Sequence, residues 1–245
     1  MTDNFETIKQ FIQTVEPDFD LDDDKFYTVE IISRKTDNPE QKGDQHSIRV
    51  YYINSIAGLD KYRNEIIKLC EVFNARAYIS VNCKSYEAVT KANLVELANR
   101  IQHDDFKKPY SLFESCAGKY TNRSKQLWIL DVDKDNADRM NMSVDDLVDF
   151  YKRIIEKECK PYKPIVYVIP TKTGKHIICH PFDTVKFFDG FPIGVSQEAL
   201  IKKNNPTLLY CSWNLWVGSR IALEKELCEK TKSTPSSLTK KPKQV

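Results

Sequence analysis

Apolar residues in the first half of the chain recur at two spacings, one typical of helices and one typical of strands. Between Leu59 and Phe73 they lie three and four positions apart, which places them on one face of a helix. The polar stretch from Lys35 to Gln45 separates two apolar runs and contains a proline and a glycine, so it predicts a hairpin loop. The pattern predicts a short helix and an acidic turn over residues 1–25, then an α/β unit over residues 26–125 with strands at 26–34, 48–53 and 75–82 and helices at 59–73 and 85–103.

The second half of the chain, residues 126–230, orders its elements differently. An apolar run that ends at Asp131 predicts a buried strand, and Ser143 with Asp146 three positions later predicts the start of a helix. The pattern continues with strands at 165–169 and 176–180, a short helix at 196–203, a strand at 207–211 and a terminal helix at 220–230. Up to residue 211 this order is that of the ferredoxin-like βαββαβ motif. It predicts a four-stranded antiparallel sheet whose first strand lies between the third and the fourth.

The predicted fold class is therefore α/β in the broad sense (α+β), with an N-terminal α/β unit packed on a C-terminal ferredoxin-like unit. Residues 231–245 are rich in Lys, Ser, Thr and Pro, which predicts a disordered tail. A chain of 245 residues forms one large domain or two small ones. With 41% hydrophobic and 29% charged residues, it can bury an ordinary hydrophobic core and keep a charged surface. A net charge of +2 argues against a nucleic-acid coat protein with a basic surface throughout.

Cysteine spacing and hydropathy indicate the cellular compartment in which the protein is expected. The seven cysteines are widely spaced and include no CxxC pair, which excludes a zinc ribbon and predicts reduced thiols. The N-terminus is polar and acidic, unlike a signal peptide, and no apolar run approaches the ~20 residues of a membrane span. We therefore expect a cytoplasmic protein without a membrane partner.

The predicted topology brings polar residues from distant segments to one edge of the second sheet. Asp131 and Asp133 end its first strand, His176 begins its third strand, and Asn204 and Asn205 precede its fourth. Residues two apart in a strand share a face, and two carboxylates on one face repel each other unless a cation lies between them. Because oxygen ligands favour Mg²⁺ or Mn²⁺, the sequence predicts a divalent metal site with Asp131, Asp133 and Asn205 as ligands.

The turn before His176 is a candidate phosphate site. Thr173 and Gly174 let the backbone approach a ligand closely, while Lys172 and Lys175 flank them with positive charge. We expect His176 to lie at the mouth of the groove, partly exposed, where its loss weakens triphosphate binding and barely changes stability.

Each residue also has an ordinary structural explanation. A strand-end aspartate often caps a turn or helix, a histidine is often packed, and turn lysines are usually solvated. A calcium loop starting at Asp131 fails because its sixth position is Asn136 instead of Gly and its twelfth is Met142 instead of Glu. A phosphohydrolase of the haloacid-dehalogenase type, with Asp131 as nucleophile, also begins with a strand and DxD. That motif opens its domain, however, whereas about half of this chain precedes Asp131.

Two short motifs resemble those of the archaeo-eukaryotic primase superfamily, the primase-polymerases. The first is the apolar strand Trp128–Asp133 ending in DxD, and the second is Gly174-Lys175-His176, a small residue, any residue and His. The resemblance covers roughly residues 26–225 and implies an N-terminal α/β unit packed on an RRM-like unit.

This resemblance implies a DNA primase or primase-polymerase active in DNA replication, a template-dependent nucleotidyltransferase on single-stranded DNA. Asp131 and Asp133 would hold two Mg²⁺ or Mn²⁺ ions, and His176 would contact the triphosphate. The implied partners are nucleoside triphosphates, a single-stranded DNA template and a separate replicative helicase. The weaker candidates for contacts with the nucleic-acid backbone are Arg76, Asn82, Lys84, Lys119 and Arg123.

The chain departs from the family at its third motif, an apolar residue followed by an acid. The predicted position holds Asn204 and Asn205, and the substitutes Asp183 and Asp189 lie beyond the third strand. An asparagine can ligate through its carbonyl oxygen but brings no charge. A catalytically inactive module that binds nucleic acid or nucleotide therefore remains an open alternative.

Overall fold

The computed structural model describes residues 1–120, 126–158, 165–189 and 200–212, and these ranges belong to one structural unit. The terminal helix predicted at 220–230 and the tail predicted at 231–245 lie outside the described residues. No helix in these ranges combines the length and apolarity that a membrane span requires.

Ten strands and seven α-helices make up the described ranges. The strands are β1 (Thr2–Asp3), β2 (Lys25–Arg34), β3 (Gln45–Ile53), β4 (Arg76–Ser80), β5 (Lys84–Ser85), β6 (Trp128–Asp133), β7 (Ile165–Pro170), β8 (Gly174–Cys179), β9 (Ile201–Lys202) and β10 (Pro206–Cys211). The helices are α1 (Phe5–Val15), α2 (Ile56–Val72), α3 (Tyr86–Gln102), α4 (Leu112–Lys119), α5 (Lys134–Arg139), α6 (Val144–Glu158) and α7 (Thr184–Asp189). Short 3-10 turns lie at Phe19–Leu21 and Pro109–Ser111.

The first sheet has the strand order β1-β10-β4-β2-β3, and the short strand β5 pairs with the start of β2. Strands β2 and β3 form the predicted hairpin, joined by the polar loop. Helices α1 and α2 contribute Ile8, Phe11, Leu59 and Ile66 to the core that β2 and β4 also build. The elements predicted for this half from periodicity are therefore confirmed, with boundary shifts of one to three residues.

Strand β10 belongs to the first sheet, so its predicted place as the fourth strand of the second sheet is wrong. It pairs antiparallel with β4, with Thr207 opposite Ile79 and Leu208 opposite Tyr78, and β1 lies on its other side. A run buried on both faces satisfies either sheet equally well. The sequence pattern therefore identifies the strand but cannot choose between the two sheets.

The second sheet has the order β7-β8-β6-β9, in which β6 is antiparallel to both β8 and β9. The predicted central position of the first strand is confirmed. The fourth strand of this sheet is β9, Ile201–Lys202. A helix was predicted over residues 196–203, so the prediction is wrong at these two positions. Residues 190–199 lie outside the described residues.

Both faces of β6 are buried, which explains its continuous apolar run. Ile129 faces the core shared with the first sheet, and Leu130 and Val132 face the core built with α6. Helix α6 begins as predicted, because the Ser143 hydroxyl accepts a hydrogen bond from the Asp146 amide at 3.1 Å and donates one to the Asp146 carboxylate at 2.7 Å.

Gly174 is required by the packing of β8 against β6. A Cβ atom at this position would lie 2.0 Å from the Val132 carbonyl oxygen and 2.8 Å from the Asp133 Cα. Both contacts involve backbone, so neither can yield without moving a strand. The backbone that closely approaches Gly174 is that of β6, so packing alone accounts for this glycine, and its role in letting a ligand approach stays a prediction.

We expect Gly174→Ala to lower the free energy of unfolding by about 1–3 kcal/mol, the usual cost of overpacking. Gly118→Ala is the matched control, because nothing lies within 4 Å of a Cβ there. In helix α4 the added methyl group should stabilise by roughly 0.5–1 kcal/mol. Urea unfolding measures both variants, and equal midpoints would contradict the close contact.

Candidate functional site

A cleft of about 280 Å³ lies between the two sheets. The second sheet contributes Asp131, Asp133 and His176, which the sequence places far apart, and the chain beyond it contributes Asn205. The remaining polar lining residues are Arg34, Arg76, Tyr78, Thr171, Lys172, Thr173 and Lys202.

His176 lies directly opposite Asp131 in the ladder between β6 and β8. Its Nε2 is 3.4 Å from Asp131 Oδ1, and its Nδ1 is 2.9 Å from the hydroxyl oxygen of Thr207, a fully buried residue of β10. The predicted placement of His176 on the same edge as Asp131 is confirmed. The His176 side chain is only 13% exposed, however, so we now expect its loss to cost stability as well.

Asp131 is held as a carboxylate. Its burial opposes ionisation, but the hydrogen bond with His176 and the positive charges of Lys202 and Arg34 outweigh burial and lower the pKa of Asp131 below its ordinary value. The side chain is 38% exposed, so one edge of the carboxylate faces the cleft.

Asp133 has both a structural and a surface role. Its Oδ1 accepts a hydrogen bond of 2.8 Å from the Asn136 amide, which caps the N-terminus of α5. Asp133 also lines the cleft on the same face as Asp131. The ordinary explanation as a helix cap therefore holds for one of its two oxygens.

Asp37, in the loop after β2, neutralises two cations of the cleft. It accepts hydrogen bonds from Arg76 Nε and Nη2 at 2.7 and 2.8 Å and from Lys172 Nζ at 2.9 Å. Burial opposes ionisation of Asp37, but these hydrogen bonds lower its pKa below the ordinary value. The cluster ties the turn between β7 and β8 to β4 and to the loop after β2, so Arg76 and Lys172 are structural residues as well as lining residues.

Arg34, which sequence reasoning missed, is a cation of the cleft that forms no ion pair with an acid among the described residues. Its guanidinium carbon lies 4.9 Å from the centroid of the Tyr78 ring, and within the described residues its buried Nε meets no hydrogen-bond acceptor. Lys202 also lines the cleft and was missed. Arg34 ends β2 and Lys202 ends β9. A cation at the end of a strand is common, so the local sequence does not indicate that either residue lines a site.

Several predicted residues lie elsewhere. Lys175 points to the other face of the sheet and pairs with Asp145 of α6, because successive strand residues alternate faces. Asn82 is buried and exchanges two hydrogen bonds with the backbone of Leu127, at 2.7 and 3.1 Å, so it joins the two halves of the chain. Lys84 is buried beside another cavity.

The other predicted positions also separate from the cleft. Lys119 is exposed at the end of α4, and Arg123 lies outside the described residues. Asn204 donates a hydrogen bond of 2.9 Å to the Gly118 carbonyl oxygen. Asp183 accepts hydrogen bonds from the first amides of α7, and neither it nor Asp189 lines the cleft, which leaves Asn205 as the substitute for the third acid.

The cleft offers few of the charged ligands that a closed metal site has. Among the described residues no group of three or more His, Cys, Asp or Glu side chains could hold a metal ion. Mg²⁺, however, usually keeps several waters and binds through one or two carboxylates plus substrate phosphates. Asp131 and Asp133 provide such a pair, and Asn205 adds a neutral oxygen.

No family model, no curated protein and no solved structure matches the chain. The chemistry of the cleft therefore rests on the placement of its own residues.

We expect Asp37→Asn to destabilise the fold by about 2–4 kcal/mol, because it leaves Arg76 buried without its counter-charge. The pKa of Asp37 is lowered on folding, so its contribution is complete above the unfolded pKa of about 3.9 and disappears as the pH falls through the folded pKa. Urea unfolding of both proteins at pH 7 and at decreasing pH measures the difference.

The control for this experiment is Asp149→Asn, which removes an exposed carboxylate 3.7 Å from Lys152. Its effect should stay within about 0.5 kcal/mol. A difference between wild type and Asp37→Asn that grows on acidification would contradict the assignment.

Proposed function

We propose that this protein is a nucleotidyltransferase of the primase-polymerase kind, which joins nucleotides on a single-stranded DNA template with Mg²⁺ or Mn²⁺. The observation that carries the proposal is the cleft in which Asp131, Asp133 and His176 meet the cations Arg34, Lys172 and Lys202. Carboxylates for metal ions beside cations for phosphates are what phosphoryl transfer requires, since that reaction depends on positioning and charge neutralisation.

The topology supports the same proposal. Counting β6 to β9 as strands one to four, the second sheet has the order 2-3-1-4, which is that of a ferredoxin-like or RRM-like unit. The first sheet with its helices supplies the α/β unit that would precede it. We propose this pairing of units as the primase-polymerase fold.

Asp131 and Asp133 would hold the metal, which when bound supplies charge neutralisation at the triphosphate and at the attacking hydroxyl. Asp131 suits this role because its lowered pKa keeps it ionised at neutral pH. Asp133 retains one oxygen that does not cap α5.

The triphosphate would lie along the cationic wall of the cleft. Arg34 has a planar guanidinium whose donors match two phosphate oxygens, and its stacking on Tyr78 orients it. Lys172 and Lys202 add charge, with Asp37 offsetting part of it at Lys172. His176, whose Nε2 faces Asp131 across the cleft, would donate from Nε2 to a phosphate oxygen.

We expect the double variant Asp131→Asn, Asp133→Asn to lose Mn²⁺ binding and primer synthesis while it stays folded. Asparagine caps a helix as well as aspartate does, so the start of α5 is preserved. The variant loses the favourable interaction of the Asp131 charge with His176, so its melting temperature is measured alongside. The measurements are Mn²⁺ titration and a primer synthesis and extension assay on single-stranded DNA with Mg²⁺ and Mn²⁺.

The double variant Asp145→Asn, Asp149→Asn carries the same charge change on exposed positions of α6, outside the cleft, and should keep both activities. Unchanged Mn²⁺ affinity in the cleft variant would reject the metal site.

We expect Arg34→Met to weaken binding of a nucleoside triphosphate in Mn²⁺ by about 1.5–3 kcal/mol, the range for hydrogen bonds to charged groups. Arg49→Met is the control, because Arg49 also stacks on a tyrosine, at 5.1 Å from the Tyr51 centroid, but is 55% exposed on β3 and paired with Glu65. Calorimetric titration with a non-hydrolysable triphosphate compares the two, and equal affinities would remove Arg34 from the site.

A catalytically inactive nucleotide-binding module is the second candidate. It is favoured by Asn205, which stands in the cleft where the family has an acid. Triphosphate binding that does not depend on Mn²⁺, together with no primer synthesis, would favour the module. Capture of beryllium fluoride on Asp131 would instead favour the phosphohydrolase.

A further inference from the structure

A second and larger cavity, of about 630 Å³, lies at the opposite end of the second sheet from Asp131. Leu127, which precedes β6, Ile165, which begins β7, and His180, which follows β8, all line it. The first sheet contributes residues from the start of β2 and from β5. A cavity of this size is in the range of small-molecule sites.

Lys84 is the unusual residue of this cavity. It is 5% exposed, and within the described chain no carboxylate forms an ion pair or hydrogen bond with its ammonium group. Lys25, in the same cavity, has the ordinary arrangement, with Glu16 at 3.0 Å and Asp22 at 3.3 Å. Buried charges are normally paired, so Lys84 lacks a partner that the fold supplies to its neighbour.

The groups around Lys84 do not supply the missing charge. Burial raises the pKa of the Cys83 thiol to about 12, so this neighbour is uncharged at neutral pH. Asp24 is engaged at the N-terminus of α3, where it accepts hydrogen bonds from Ser85 Oγ at 2.5 Å and from the Glu87 amide at 2.7 Å. Burial lowers the pKa of Lys84 to about 8, which still leaves most of the amine protonated at pH 7.

Tyr27 also lines this cavity, but its side chain is fully buried, so its hydroxyl is closed to a ligand. Burial raises the pKa of Tyr27 well above its ordinary value, so the hydroxyl is neutral and supplies no counter-charge to Lys84. Buried polar groups in folded proteins almost always have partners, and within the described residues the Lys84 ammonium lacks an acceptor.

We infer that this cavity binds a small anionic molecule through a carboxylate or phosphate group, with the Lys84 ammonium as counter-charge. The site is separate from the cleft around Asp131 and does not depend on the function proposed for it. Lys84 was predicted to contact a nucleic-acid backbone. Because it is buried, we infer that it contacts instead a ligand small enough to enter the cavity.

The test is calorimetric titration of the full chain with inorganic phosphate and, separately, with succinate, in EDTA and at constant ionic strength. Wild type should bind one or both probes saturably, and Lys84→Met should weaken binding at least tenfold. Lys91→Met is the matched control, because Lys91 is exposed on α3 and its loss changes the net charge equally.

Lys84→Met should fold at least as stably as wild type, because methionine fills similar space without an unpaired charge. If it fails to fold, the titration of Lys84 in wild type provides the test, and a pKa that the anion leaves unchanged would overturn the inference. In wild type, dimethyl-lysine NMR should show that saturating anion raises the pKa of Lys84 above its starting value of about 8.

Binding of phosphate alone identifies a phosphorylated ligand, and binding of succinate alone identifies a carboxylate ligand. Absence of saturable binding by both probes, or equal affinity in Lys84→Met and wild type, would overturn the inference.

Discussion

The antiparallel ladder between β6 and β8 fixes which side chains face the first sheet and which face α6. In this register Asp131 meets His176, and Gly174 lies against the backbone of Val132 and Asp133. A shift by one residue would turn every side chain of β8 to the other face, so Lys175 would enter the cleft in place of His176. The hydrophobic core enforces this register. The same shift would remove Ile178 from the core shared with the first sheet and Ile177 from the core built with α6.

The two halves of the chain are joined by contacts that neither half could make alone. Strand β10 returns to the first sheet after β9 has completed the second, and its Thr207 holds His176 in the cleft. Asn82 satisfies the backbone of Leu127 at the start of β6. The cleft is thus bounded by two sheets whose relative placement is set by buried hydrogen bonds, which favours a preorganised site.

Electrostatics divides the polar residues into compensated and uncompensated groups. Asp37 neutralises Arg76 and Lys172, and His176 pairs with Asp131. Arg34 and Lys84 line cavities and form no ion pair with an acid within the described residues. They lie in different cavities, and each supports a proposal because an uncompensated charge beside open space favours an anionic ligand.

Local chemistry determined much of this protein from the sequence. Periodicity predicted the strands and helices of the first half. The pair Ser143 and Asp146 predicted the start of α6, and the two-residue spacing of Asp131 and Asp133 predicted that they share a face. These features depend on residues a few positions apart, and the ferredoxin-like order then placed His176 beside Asp131.

Only the tertiary structure decided the sheet to which β10 belongs, the burial of Asn82 and Lys84, and the entry of Arg34 into the cleft. Each of these outcomes depends on partners far away in the chain, such as Tyr78 for Leu208 and Leu127 for Asn82. A buried strand, an amide or a strand-end cation looks the same in sequence whichever partner it meets, because the energy that selects the partner comes from packing and desolvation in the folded state.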